Sequence, residues 1–476
     1  MQAQVSGTLS EREASELVQL LQGLLRVRSV NPPGDEILAA RYLERVFADD
    51  GLTPTVVEPF PGRGSILTRV HGDGTGGDPL LLLSHLDVVP AEPAGWSHDP
   101  FAGDLADGYV WGRGAMDMKG MVAMEAQVMR RLARAARDAG RDPAADPVPG
   151  LRRDVVFCCS ADEEAGGWHG ASWLVDNHPD WLRAAAALNE AGGITMTYGG
   201  KRFYPIQVAE KGFVVYKLHV KGRWGHGSVP TPDNAAVLAA RIVTRLGEPG
   251  PVRLTDAMAL SLKRALPHMA SRAAKVVGGL LKPDGARGDA AAVDARDVDA
   301  ALRSICDPVL ARTLSAVIHD TVSVGIVQSG VKYNVIPGTA MIEIDCRTLP
   351  GTDEPAMRAE IRRRIGEDLW GRIDVELEQV GASVQAPLDH PIYPILEAVL
   401  RDRDPEAIPV PVLAPFATDA KHLARIGVPV FGFSPLAVGE GDGLLDLMHG
   451  DDERVSVDAL RFGLPTLWDA VMRYCG

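Results

Sequence analysis

Leucines recur at positions 17, 20, 21, 24 and 25, a spacing that lays an apolar stripe along one side of a helix. Ser10 followed by Glu13 has the form of a capping box ahead of that stripe, so a helix is expected over about 9–27. The turn Asn31-Pro32-Pro33-Gly34 stops it. A second helix is expected over about 35–49. Short β-rich runs at 53–57, 65–70 and 80–84 then alternate with Gly/Pro turns. A helix over about 119–136 and a strand over 154–159 continue the alternation, which implies a largely parallel sheet covered by helices. Residues 137–153, rich in Ala, Asp, Arg, Pro and Gly, read as a surface loop.

The pattern changes near residue 212. Residues 214–220 alternate like a half-buried strand. A helix over about 234–246, strands at 321–328 and 340–346, a helix over 354–365 and a strand at 373–380 complete a small α/β sandwich. Between them, 251–318 has helical periodicity and no interpretable motif. After Pro387 the chain returns to the first pattern, with a helix near 392–400, a strand at 428–433 and a glycine-rich loop over 439–443. The expected division is 1–210 and 384–476 for one domain, with 211–383 inserted and 251–318 as an elaboration of the insert.

Length supports more than one domain, since 476 residues exceed the usual size of a single one. A hydrophobic content of 46% with 24% charged residues is that of a soluble globular protein. The net charge of −14 argues against a polyanionic partner, since nucleic acid requires a concentrated basic surface. No apolar run reaches the roughly 18 residues of a membrane span, and the first residues lack the charged-then-apolar form of a signal. Five cysteines without CxxC spacing give no support to a disulfide framework or a cysteine-rich zinc site. A cytoplasmic protein is expected.

Candidate chemistry gathers at strand ends. The run Leu80-Leu81-Leu82-Leu83-Ser84-His85-Leu86-Asp87 closes on an imidazole and a carboxylate two positions apart, hence on one face of the sheet. Asp117 follows in Gly112-Arg113-Gly114-Ala115-Met116-Asp117-Met118-Lys119-Gly120, then Asp162-Glu163-Glu164, Glu190 and a late His449. Each has an ordinary explanation taken alone. A lone His-x-Asp is more often structural, Asp162-Glu163-Glu164 could be a solvated turn, and His449 beside Asp451, Asp452 and Glu453 could cap a helix. Arg347 could pair within its strand, and His226 could serve a turn with Ser228. His169, His178 and His422 read as structural or exposed, and Cys158-Cys159 as core. Spacing alone does not separate Glu163 from Glu164 or Asp162.

Taken in order, these segments, with Asn189-Glu190, Gly225-His226-Gly227-Ser228, Asn334-Val335-Ile336-Pro337, Asp345-Cys346-Arg347 and Met448-His449-Gly450-Asp451-Asp452-Glu453, resemble the M20 family of zinc metallopeptidases and amidohydrolases. That family includes aminoacylases, carboxypeptidases, dipeptidases and succinyl-diaminopimelate desuccinylase. The resemblance covers nearly the whole chain. It implies an α/β fold: a large zinc-hydrolase domain with a mainly parallel central sheet and helices on both faces, plus an inserted, smaller α/β sandwich that serves as lid and dimerisation domain. It further implies two zinc ions, with cobalt or manganese as substitutes, bridged by Asp117. His85 and Glu190 would complete one metal shell, Glu164 and His449 the other.

By the same resemblance, Asp87 holds the His85 imidazole, and Glu163 is the general base that returns its proton to the leaving amine. His226 helps to stabilise the oxyanion, in some members reaching into the site of the other subunit of a homodimer. Arg347 and Asn334 match positions that contact substrate, and the 439–443 loop offers backbone donors. The implied activity is hydrolysis of an amide in an N-acyl amino acid or in a peptide with a free C-terminal carboxylate. The segment Gly225-His226-Gly227-Ser228-Val229-Pro230-Thr231-Pro232-Asp233-Asn234 points toward the carboxypeptidase-S-like and N-acyl-amino-acid hydrolase branch. A dipeptidase or desuccinylase-like enzyme on the same site, and a metal-holding module without catalysis, are the alternatives.

Overall fold

The structure, a computed structural model, describes residues 9–269, 271–281, 295–305, 308–439 and 447–476. The chain separates into two compact units, one formed by residues 1–208, 386–410 and 418–476, the other by 209–385 and 411–417.

The first unit begins with the helix Glu11–Leu25, whose capping box is complete. The Ser10 backbone N–H donates to Glu13 Oε2 at 3.0 Å, and the Glu13 N–H donates to Ser10 Oγ at 3.3 Å. The leucines of the expected stripe, 17, 20, 21, 24 and 25, are all buried. Next comes a sheet whose strands lie in the order Thr55–Phe60, Arg63–Val70, Val155–Ser160, Leu80–His85, Ala186–Asn189, Val430–Gly432 and Lys201–Glu210. The four middle strands run parallel, and the strands at either margin are antiparallel.

Continuous apolar runs belong in such a centre because both faces are covered. Every residue of Leu80–His85 and of Val155–Ser160 is buried. Leu81, Leu83, Val156 and Cys158 pack on one face with Leu174, Val175 and Leu423. Phe157, pointing the other way, meets Phe47 of the helix Glu36–Asp49 edge-on at 5.1 Å. The α/β class with a mainly parallel centre is therefore as the sequence reading gave it. The Cys158-Cys159 pair lies in this core, where burial pushes both thiols far up. Among the described residues no helix is long and apolar enough to cross a membrane.

Several strands lie outside the expected set, the central Ala186–Asn189 among them, and two of the longest of these are Lys201–Glu210 and Ile408–Ala414. Both contain proline, which demotes a strand in any reading of pattern. The helix Lys119–Asp138 runs slightly past the expected end. Three positions of the expected surface loop, Pro143, Val148 and Leu151, are buried.

The second unit is an antiparallel sheet in the order Thr321–Ser329, Thr339–Thr348, Gly212–Lys221 and Ile373–Gly381. Its inward side chains, among them Val214, Tyr216, Leu218, Ile342 and Ile344, share a core with Leu238 and Ile242 of the helix Ala235–Leu246 and with Met357 and Ile361 of the helix Glu354–Ile365. The elaboration over 251–318 forms the helices Asp256–Ala265, Ser271–Leu280, Ala295–Ile305 and Pro308–Ala316. Its apolar core, built on Met258, Leu262, Val277, Val298 and Leu302, also takes in Ala209, Leu349 and Leu413. Lys211 ties this bundle to the sheet. Its buried ammonium donates to the carbonyls of Ala316 and His319, both at 2.8 Å, and to Thr321 Oγ1 at 3.1 Å.

Candidate metal centre

His85 stands at the carboxyl end of a central parallel strand, where open α/β sheets present ligand groups. Its Nε2 lies 3.2 Å from Asp117 Oδ1 and 3.7 Å from Glu190 Oε2. Nδ1 faces Asp87, 3.1 Å from the carbonyl and 3.4 Å from Oδ1. Nδ1 is thus turned toward Asp87, and Nε2 toward Asp117 and Glu190.

Asp87 does more than hold the ring. Its Oδ1 accepts from the Glu163 N–H at 3.1 Å, and its Oδ2 from the Glu164 N–H at 3.0 Å and from Asn31 Nδ2 at 2.8 Å. Those two N–H groups belong to the 3₁₀ turn Glu163–Ala165 that follows the strand Val155–Ser160. Behind it, Arg63 binds Glu36 Oε1 at 2.6 Å and Asn31 Oδ1 at 3.0 Å, and lies 3.4 Å from Asp162 Oδ1. Glu190 follows the strand Ala186–Asn189, whose last residue donates from its side chain to Thr418 Oγ1 at 3.0 Å.

His449 arrives from the far end of the sequence. Its Nε2 lies 3.1 Å from Asp117 Oδ2 and 3.3 Å from Glu164 Oε2. Asp117 thus offers one oxygen to the His85–Glu190 side and the other to the His449–Glu164 side. Ligand-type atoms of His85, Glu163 and Glu190, and of His85, Asp117 and Glu164, lie within 4.8 Å of one another.

Five carboxylates against two imidazoles leave the cluster electron-rich. Burial, reinforced by Glu190, drives the Glu163 carboxyl well above its ordinary range. Burial and the Asp117 charge push Glu190 up to about 7. Burial opposes the Asp117 charge, yet its bonds to His449 and His85 hold it well below the usual range. The His449 imidazole is raised to about 10, chiefly by its bond to Asp117. Burial would lower His85, but Asp117, Asp87 and Glu190 together raise it well above the ordinary value. Glu164 Oε1 is buried with no hydrogen-bond partner. Such a surplus of buried acid, with an orphaned oxygen and two imidazole nitrogens, fits divalent cations that accept N and O donors.

The remaining expected residues lie in the second unit. His226, in the short strand Gly225–His226 paired with Val335–Ile336, is exposed, with Nδ1 2.7 Å from Ser228 Oγ. Asn334 accepts from the Gly227 N–H at 2.8 Å through its carbonyl, and its side-chain Oδ1 is buried without a partner. Arg347 pairs with Asp345 at 2.9 Å and lies over the Phe213 ring. Residues 440–443 of the glycine-rich loop lie outside the described residues. His169 and His422 have structural partners, Asp162 Oδ2 at 2.8 Å and the Gly166 carbonyl at 2.9 Å. The sequence reading missed Asn31, Glu36, Arg63, Arg113 and Glu453 as supports. Glu453 stood in the last motif, but nothing in its spacing separates it from Asp451 and Asp452.

Comparisons with known proteins bear on this geometry. The family described as Peptidase family M20/M25/M40 matches residues 81–473. N-fatty-acyl-amino acid synthase/hydrolase PM20D1 of Xenopus tropicalis is 26% identical over 95% of this chain and 84% of its own length. Aminoacylase-1 of Sus scrofa is 27% identical over 92% of this chain and 90% of its own. Among solved structures, the M20 family metallo-carboxypeptidase Sso-CP2 of Sulfolobus solfataricus is similar in fold, with a TM-score of 0.65 at 15% identity, covering 98% of this chain and 99% of that one. The chain therefore belongs to peptidase family M20/M25/M40 and is a hydrolase of amide bonds.

Proposed function

We propose that this protein is a dinuclear zinc-dependent hydrolase that cleaves the amide of an N-acyl amino acid or of a peptide with a free C-terminal carboxylate. One observation carries the reading: the two oxygens of Asp117 face two different histidines, His85 at 3.2 Å and His449 at 3.1 Å. His85 and Glu190 would hold one ion, Glu164 and His449 the other, and Asp117 both. Bound there, divalent ions supply Lewis acidity toward a carbonyl oxygen and make water acidic enough to attack near neutral pH.

The protein's own groups do the rest. Glu163 sits beside the ligands, with its backbone N–H held by Asp87 Oδ1 at 3.1 Å, a position that suits a base taking a proton from the attacking water. It returns that proton to the amine nitrogen as the C–N bond breaks, leaving a carboxylate and an amine. Asp87 fixes both the His85 ring and the Glu163–Glu164 turn, so base and ligands keep one registry. His226 is assigned to donate a hydrogen bond to the developing oxyanion. Asn334 and Arg347 are assigned to the substrate. A guanidinium binds a carboxylate in two-pronged fashion, and Arg347 would exchange Asp345 for it.

The names of the two relatives, an N-fatty-acyl-amino acid synthase/hydrolase and an aminoacylase, favour the N-acyl amino acid over the dipeptide. A homodimer through the second unit, in a cytoplasmic setting, completes the reading. The edge strand Thr321–Ser329 supports the dimer, since it exposes Ile326 and Val327.

The test is a panel of N-acyl amino acids and dipeptides assayed with zinc, manganese or cobalt, with metal content measured on the same samples. The expected result is turnover of N-acyl amino acids with two equivalents bound. Tight metal binding without turnover of any substrate would replace the enzyme with a metal-holding module.

A further inference from the structure

Glu453 has no exposed surface, and its carboxylate accepts four hydrogen bonds from a single loop. Oε2 takes them from Arg113 Nη1 at 2.6 Å and Gly114 N at 2.9 Å, and Oε1 from Met116 N at 2.8 Å and Asp117 N at 3.0 Å. The Glu453 carbonyl accepts from Gly112 N at 2.9 Å, and Arg113 Nη2 reaches the Gly450 carbonyl at 2.9 Å. Residues 112–117 are thus stitched to 450–453 from both sides. The two ends of this seam carry Asp117 and His449.

The two halves of the cluster are held differently. His85 is buried on a strand paired on both flanks, with Asp87 on its ring. The His449 side chain is 53% exposed. Its backbone takes φ of 61°, in the left-handed region that is uncommon for a residue with a side chain. The backbone that follows it is held by the seam and by Asp452, which accepts from Ser97 N at 2.6 Å and Ser97 Oγ at 2.8 Å.

We propose that Glu453 is a positioning residue that sets the Asp117–His449 pair, and with it the affinity of the His449–Glu164 side for its ion, while the His85–Glu190 side is held by the sheet. The proposal rests on the two-ion reading above. Glu453→Gln would turn amide hydrogens toward two of the four donors and convert half the cradle from attraction to repulsion.

The experiment titrates the metal-free full chain with cobalt(II) against a competing chelator, following visible absorption. Circular dichroism of the same samples reports folding. The wild type is expected to bind two equivalents. Glu453→Gln should keep one at wild-type affinity and weaken the other about 10- to 100-fold, as outer-shell partners do. Arg113→Met supplies the check should Glu453→Gln fail to fold. It removes a positive charge, which on electrostatics alone would tighten both ions, so a weakened second equivalent reports position rather than charge.

Equal weakening of both equivalents, or of neither, in a folded variant would overturn the proposal and leave the two-ion reading intact. So would an unfolded Glu453→Gln beside an Arg113→Met that binds as the wild type does. A wild type that binds fewer than two equivalents would remove both.

Discussion

Glu163 and Glu164 are adjacent in sequence and opposite in circumstance. Glu164 lies 3.3 Å from His449, whereas Glu163 has its carboxyl pushed far up by burial and by Glu190. Glu163→Gln is expected to keep both metal equivalents and lose about 10²- to 10⁴-fold in kcat. Metal analysis beside steady-state kinetics checks it, and a near-normal rate would withdraw the role of base. Glu125 offers a second measurement at this scale. It is buried in the helix Lys119–Asp138 with no well-formed hydrogen bond to either oxygen. Burial pushes its carboxyl up from 4.5 to about 8, against the pull of the Ser84 hydroxyl. Between those values the folded protein keeps a proton that the unfolded chain has released, so stability falls as pH rises through the window, by about 1.4 kcal/mol per pH unit at most. Glu125→Gln should therefore gain stability over the wild type at pH 8 and show little difference near pH 4.5. Urea unfolding of the metal-free proteins at the two pH values decides it.

Elements bring these residues together, and the turn after Val155–Ser160 is the tightest of them. A Cβ on Gly170 would sit 1.8 Å from the Ala161 carbonyl oxygen, and one on Gly167, where φ is +75°, would meet Asp419 Oδ1 at 2.3 Å. Gly170→Ala must move backbone in the turn that carries Glu163 and Glu164. A loss of about 1–3 kcal/mol is expected, with weakened metal binding, measured by thermal unfolding and by metal titration. Binding at wild-type strength would mean that the turn tolerates the shift. Most of these elements are legible in the sequence, because periodicity and caps are local. The Ser10–Glu13 box and the helix Glu354–Ile365 lie where pattern put them, as does the strand that delivers His85. Lys201–Glu210 and Ile408–Ala414 escaped because Pro205, Pro409 and Pro411 mimic turn punctuation. Glu453 escaped for another reason: its four bonds are made to residues more than 300 positions earlier, and no local pattern encodes them.

For the whole molecule, the candidate metal cluster and the elaboration fall in different units. His85, Asp87, Asp117, Glu163, Glu164, Glu190 and His449 all belong to the first, and the helical bundle within 251–318 to the second. Leu302→Ala, in the core of that bundle, should cost about 2–5 kcal/mol of stability in the second unit and leave cobalt titration unchanged. Calorimetry and titration on one sample test both halves of that statement, and altered metal affinity would show that the bundle influences the site.

Within the first unit, His449 follows Glu190 by more than half of the chain, and its partner on the bridging acid waits in the first quarter. A polypeptide leaving the ribosome therefore displays five acids and a lone imidazole long before the second imidazole exists. That half-formed nest repels itself until the late segment brings the His449 imidazole against Asp117.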